Sequence, residues 1–267
     1  MLSCTIIISP CLARVSAPPP RLAQREPFDN MFYIAKGDWV CTRPQLHAIN
    51  QAIADARRIA SHTINVLNVP GAESSEAYQT WFGSSNANMK QKVINNHYRS
   101  VLENLEKPSR AVTFTLRENS PFEVARGPPV TRDSIVYACP NDIYSSGLCE
   151  AAVVAAVVTA KGNEPSVLGT TVVYFCPSFF DSDMNSEKQM REEWKQGKDA
   201  RMSRSMVMIH ELQHMSTATT NSEHCLDYAI RRNNCRSLPD NKKIKNAQNY
   251  AYFALDVLVN PNKGKPV

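Results

Sequence analysis

"MVMIHELQHMSTAT", residues 206–219, decides how this chain is read. His210 and His214 stand four apart, with Glu211 directly after the first. On an α-helix, positions four apart lie one above the other on one face, so two imidazoles can point at one ion. Glu211 is turned out of that row, yet it stays close enough to reach a water beside the metal. His-Glu-x-x-His therefore carries two zinc ligands and a general base. The stretch "ARMSRSMVMIHELQHM" (200–215) contains neither Gly nor Pro and predicts one zinc helix over about 199–218. Met206, Ile209 and Leu212 supply apolar neighbours that keep the site dry.

A catalytic zinc needs a third protein ligand. The extended metzincin pattern requires Gly at 217 and His at 220, where this chain has Thr217 and Thr220. The gluzincin pattern requires a later Glu, and no glutamate follows Glu223. His224, Asp227, Asp240 and Asp256 remain. Asp227 is favoured, with His224 as its rival. It falls 13 residues after His214, early in what reads as another helix, and a short loop can swing its carboxylate back onto the metal.

The 267 residues suit a single domain of two lobes, and a hydrophobic fraction of 43% suffices for a core. The net charge of +5 is spread along the chain, with no Lys/Arg block interleaved with aromatics, so no nucleic-acid partner is expected. No apolar run reaches the ~18 residues of a membrane span, so no membrane association is expected. The segment 1–17, "MLSCTIIISPCLARVSA", reads as a signal peptide, although Pro10 interrupts its apolar centre and no basic residue precedes it. Residues 18–30 form a proline-rich leader, and the domain is expected over 31–267. Of eight cysteines, Cys4 and Cys11 fall in the signal-like segment. The other six are Cys41, Cys139, Cys149, Cys176, Cys225 and Cys235, and that even number predicts three disulfides in a secreted, extracellular protein.

Helical spacing of apolar residues predicts helices over 43–67 and 88–106, the second ended by Pro108. His47, His62 and His97 lie in these helices as packing or surface residues. The middle is β-branched: 111–116, 134–139, 151–158 and 170–176 predict short strands of a small sheet, with 151–158 buried. The expected fold class is α+β, mainly helical, with a zincin-like helix carrying the motif.

The combination resembles the aspzincins, the deuterolysin-type fungal zinc endopeptidases. "HELQH" followed by "CLDYA" matches that family's motif and its Asp-Tyr pair, here Asp227-Tyr228. "YFCPSFF" (174–180) and "KNAQNYAYFA" (245–254) resemble its Cys-Pro-aromatic stretch and its C-terminal helix. The resemblance spans roughly 35–257 and is stronger in the second half. It implies one Zn²⁺ per chain held by His210, His214 and Asp227, with Glu211 as base. It also implies disulfides Cys41–Cys139 and Cys149–Cys176, with Cys225–Cys235 as an extra clip around the third ligand. There are departures. The Gly-Thr before the Asp is missing, the loop from His214 to Asp227 is longer, and Ile230 stands where the family has a tyrosine thought to steady the oxyanion. Tyr228, Tyr250 and Tyr252 are the candidate substitutes. Gln248 and Ala251 stand where lysine-selective members carry carboxylates, so lysine-only cleavage is not expected.

The reading is thus a monomeric, secreted zinc endopeptidase acting on polypeptides. A zinc scavenger or surface antigen of the same fold is the alternative, favoured by Ile230 and opposed by the retained Glu211. An unmetallated interaction domain is the third reading.

Overall fold

The computed structural model describes residues 32–34, 39–106, 111–112, 114–117, 120–124, 135–140, 149, 153–159, 171–182, 184–215, 219 and 223–267. The signal-like segment 1–17 and the leader 18–30 lie outside the described residues. The strands are β1 (Phe32–Ile34), β2 (Ala111–Val112), β3 (Phe114–Arg117), β4 (Ser120–Val124), β5 (Ile135–Ala138), β6 (Ala155–Thr159) and β7 (Thr171–Phe175). The helices are α1 (Arg43–Leu67), α2 (Glu76–Trp81), α3 (Lys90–Lys92), α4 (Ser100–Glu106), α5 (Pro177–Phe180), α6 (Glu187–Lys195), α7 (Arg204–Leu212), α8 (Arg232–Ser237), α9 (Asp240–Lys243) and α10 (Ala247–Val259). The architecture is mainly helical beside a small sheet.

That sheet runs β2-β1-β5-β7-β6, and β3 pairs with β4 in a separate hairpin. β5 and β7 pair in parallel and are buried along their whole length, as their continuous apolar sequences require. β6 pairs antiparallel with β7 and closes one edge. The 151–158 run was expected to be a buried strand. The strand found is 155–159, in which Ala155 is buried while Ala156 and Val157 are only half-buried, because an edge strand has one open side.

α1 begins where Gln45 Oε1 accepts the Thr42 backbone N–H at 2.8 Å, with Pro44 in its first turn. Leu46, Ile49, Ile53, Ile59 and Ile64 form its buried stripe, and Ala52, Ala56 and Ala60 let α7 and α10 approach closely. The expected helix over 88–106 is not uniform. It passes from α3 through a π-helical stretch, Val93–Arg99, into α4. The wider turn carries both His97 and Tyr98 into the core.

α10 is the central helix. Residues 247–257 are all buried, and Tyr250 and Phe253 pack against Tyr98 and Phe82. The Asp256 carboxylate accepts the indole N–H groups of Trp81 and Trp194, each at 3.0 Å. Disulfides join Cys41 to Cys139 and Cys149 to Cys176. The first spans 98 residues and fastens the start of α1 to the end of β5. A loop of that size constrains the unfolded chain by about 4–5 kcal/mol.

Cys225 and Cys235 are buried free thiols, which corrects the expected third bridge. Cys235 Sγ sits 3.3 Å from the Ala229 carbonyl and 3.6 Å from Asn246 Nδ2. The Cys225 thiol is also buried, and burial raises its pKa.

Candidate metal centre

α7 follows its N-cap Ser203 and presents Ser205–Leu212 as a fully buried run between α1, α10 and β6. It is shorter than the helix expected over 199–218. Gln213 caps its C-terminus, and the last bonds are tight i−3 ones: Gln213 N–H to His210 O and His214 N–H to Glu211 O, both 3.0 Å. His214 therefore sits in a turn just past the helix.

The chain then returns across this end. The Cys225 N–H donates to the Gln213 carbonyl at 2.7 Å, and the Cys225 carbonyl lies 2.9 Å from His214 Nδ1. That second contact turns His214 Nε2 toward His210, the usual division of labour between the two nitrogens of a metal-binding histidine. Asp227 was expected early in a helix. It lies instead in an extended stretch ahead of α8, where Leu226 bridges to Asn246. Asn246 holds the stretch: its Oδ1 accepts the N–H groups of Tyr228 (2.8 Å) and Ala229 (3.1 Å), and its Nδ2 donates to the Ala229 carbonyl at 2.9 Å.

Donor atoms of three residues converge as a result: two imidazole nitrogens and both oxygens of one carboxylate. His210 Nε2 and His214 Nε2 are 3.2 Å apart. Asp227 Oδ1 lies 3.4 Å from the first, and its Oδ2 lies 3.3 Å from the second. A tetrahedral zinc with ligands at about 2.0–2.1 Å needs donor-to-donor edges of roughly 3.3–3.4 Å. The residues present fit zinc. Glu211 stands beside them, its Oε1 3.8 Å from His210 Nε2. Of the other candidates, His224 is exposed, Asp240 accepts from the Ser85 N–H and hydroxyl, and Asp256 is held between the two indoles.

The electrostatics follow from burial and these contacts. Burial pushes the Glu211 carboxyl up to about 7, with His210 and His214 opposing the rise. Burial also works to raise Asp227, but bonds from the two imidazoles outweigh it and hold the carboxyl well below its usual range. Burial works to lower His214, and Asp227 overrides it, so its pKa is raised.

A cavity of about 580 Å³ opens directly on His210, Glu211 and Asp227. One wall is the β6 side, Val153–Ala156; Met184, Met202, Val207 and Ile230 form much of the remainder. None of the three tyrosines considered as oxyanion donors lines it. The Tyr250 hydroxyl donates to the Ile244 carbonyl and that of Tyr252 to the Ile230 carbonyl, both at 2.9 Å, while Tyr228 lies half-exposed under Lys242. Tyr250 and Tyr252 point inward because they belong to the buried face of α10.

Sequence reasoning passed over three residues that build this centre: Asn246, Gln213 and His97. His97 Nδ1 meets Gln213 Oε1 at 2.8 Å beneath the turn. The Asn in "KNAQNY" was a visible signal for the first. Nothing local marked the other pair, which lies 116 residues apart.

Comparison with known proteins points to one family. Residues 123–255 match the family model Aspzincin M35, described as lysine-specific metallo-endopeptidase. A probable neutral protease 2 homolog of Trichophyton verrucosum is 23% identical over 214 residues, covering 80% of this chain and 44% of that protein. One from Arthroderma otae is 26% identical over 216 residues, covering 80% and 43%. The chain thus spans less than half the length of these curated relatives. The solved structure of a zinc peptidase from Grifola frondosa shares the fold at a TM-score of 0.50 and 18% identity, covering 81% of this chain and 97% of that one.

Proposed function

Because this chain belongs to the aspzincin family of zinc metalloendopeptidases, we propose that it is a secreted endopeptidase in which His210, His214 and Asp227 hold one zinc ion and Glu211 acts as general base. The observation that carries the reading is the approach of His210 Nε2 and His214 Nε2 to 3.2 Å of each other, with one Asp227 oxygen 3.4 Å from the first, the other 3.3 Å from the second, and the buried Glu211 carboxyl beside them. Zinc bound there supplies Lewis acidity toward water and toward a peptide carbonyl.

The chain's own residues supply the rest. Glu211, held near neutral pKa by burial, takes a proton from the attacking water and returns it to the leaving nitrogen. The Cys225 carbonyl fixes the His214 ring, and Asn246 fixes the stretch that brings in Asp227. β6, at the sheet edge, offers backbone groups to an extended polypeptide, and the apolar cavity walls exclude water. Two disulfides within the described residues support an oxidising, extracellular location.

A second reading, a secreted zinc-binding protein with little turnover, is favoured by the cavity having Ile230 and, among the described residues, no tyrosine on its wall. Losing one oxyanion donor typically costs ~10²–10³ in rate. The test is Glu211→Gln measured beside wild type for casein hydrolysis and for bound zinc. An endopeptidase loses turnover and keeps one zinc per chain. Equal, negligible hydrolysis by both proteins with zinc retained supports the binder, and absence of zinc from wild type defeats both readings.

A further inference from the structure

We propose that the exposed ridge 226–230, together with the cations around it, docks an acidic, apolar-bearing stretch of a polypeptide several residues away from the bond to be cut. The effect on cleavage rests on the endopeptidase reading; the binding does not.

Exposure marks the ridge. Five large apolar side chains are exposed among the described residues, and three of them are Leu226 (49%), Tyr228 (41%) and Ile230 (60%). Apolar exposure gathered in five residues signals a contact surface, where scattered exposure would not. The backbone beneath is fixed. The Leu226 N–H donates to the Lys245 carbonyl at 2.9 Å, and its carbonyl accepts the Ala247 N–H at 3.0 Å. Asn246 accepts the next two N–H groups, and the Tyr252 hydroxyl donates to the Ile230 carbonyl. A partner therefore meets a preformed surface and pays little for ordering it. Ile230 also lines the cavity, so the ridge leads into the cleft beside Asp227.

Charge names the partner. Residues 226–245 hold six basic side chains against two carboxylates, Asp227 and Asp240. Both carboxylates are engaged, the first by the imidazoles and the second by Ser85 and Lys243. Asp199, exposed at the rim, takes the Arg232 N–H at 3.3 Å. Arg231, Arg236, Lys242 and Lys245 are exposed, and among the described residues no carboxylate pairs with them. Lys242 Nζ lies 5.3 Å from the centre of the Tyr228 ring, so cations and ridge form one surface. Such a surface attracts anions and sets their register. An extended peptide alternates its side chains, which lets apolar ones rest on the ridge while acidic ones reach the cations. An anionic lipid surface fits less well. Asp227 lies within the ridge, and a flat bilayer seated there would cover the mouth of the cleft.

The binding test uses Glu211→Gln protein as purified and a fluorescent hexapeptide of alternating Glu and Leu, read by anisotropy. That peptide should bind roughly tenfold tighter than its Gln–Leu and Glu–Gly counterparts, and more weakly as salt rises from about 20 to about 300 mM. Lys242→Glu/Lys245→Glu should weaken it roughly tenfold. Arg57→Glu/Lys265→Glu makes the same change in net charge outside the segment and should weaken it less than about threefold. In the cleavage test, wild type should cut a quenched peptide bearing the Glu–Leu tail with a higher kcat/KM than one bearing the Gln–Leu tail. Lys242→Glu/Lys245→Glu should abolish that difference and leave the Gln–Leu substrate unchanged. Equal binding of the three hexapeptides, equal loss in both double variants, or capture by phosphatidylglycerol vesicles without peptide binding overturns the proposal. Cleavage indifferent to the tail overturns it and leaves the endopeptidase reading standing. Selective binding without cleavage by wild type upholds the docking surface and overturns that reading instead.

Discussion

His97, buried in the π-helical stretch, meets Gln213, the residue that caps α7, with Nδ1 2.8 Å from Oε1. The ring also stacks on Tyr250 at 4.3 Å between centroids. One imidazole thus joins the first half of the chain to the turn that carries His214.

That burial has a pH signature. Burial lowers the His97 pKa from 6.5 to about 4, with the Gln213 bond and Glu223 opposing the fall and Lys92 adding to it. Above about pH 6.5 the ring is neutral in both states and its contribution is intact. As pH falls toward about 4, the unfolded chain takes up a proton that the native ring refuses, so stability declines. The loss is on the order of 3 kcal/mol across that window. Urea unfolding along this pH range should be steeper for wild type than for His97→Gln, and matching slopes would refute the assignment.

Asp227→Ala removes a donor that touches both imidazoles. Zinc affinity should fall by more than the 10–100-fold that accompanies loss of an outer partner, while Asn246→Ala should fall within that range. Competition with a chromophoric chelator gives both values. An Asn246→Ala affinity equal to wild type would deny Asn246 its role in holding Asp227.

Asp256→Asn replaces a buried carboxylate that two indole N–H groups share. The new amide must turn at least one N–H toward a donor. The expected cost is about 2–4 kcal/mol of stability, read by denaturant titration, with zinc content unchanged in the folded protein. Loss of zinc at full stability would contradict this structural role.

Cys225 and Cys235 should react with an alkylating agent in denaturant without reductant, and in the native protein only slowly. Burial is the reason: it raises both thiols, Cys235 up to about 12, and keeps the reactive thiolate scarce. Cys41, Cys139, Cys149 and Cys176 should stay unlabelled until reduced. Peptide mapping by mass decides, and resistance of Cys225 and Cys235 to labelling in denaturant would restore the third bridge.

The pieces legible in the sequence are those set by periodicity. His210 and Glu211 on a buried helix, the apolar stripe of α1, and β5 and β7 all follow from spacing alone. The pieces that depend on distant contacts were not legible. The helix α7 ends at Leu212 rather than near 218, because the returning Cys225 N–H takes the Gln213 carbonyl. Asp227 lies in an extended stretch because Asn246, 18 residues beyond Tyr228, captures the backbone there. Tyr250 and Tyr252 look like available hydroxyls in the sequence, yet α10 is buried almost all round and turns both inward. Cysteine parity suggested a third bridge, but parity carries no information about where each sulfur points.

Trp81 and Trp194 lie 5.8 Å apart with their indoles on a single carboxylate, one from α2 and one from α6, beneath α10. Two of the three tryptophans in the chain therefore share one dry environment at a junction of three helices. Their ultraviolet emission is an intrinsic gauge of that junction. A red shift on heating or chelation would mark the moment at which water first enters between the helices, without any dye or label.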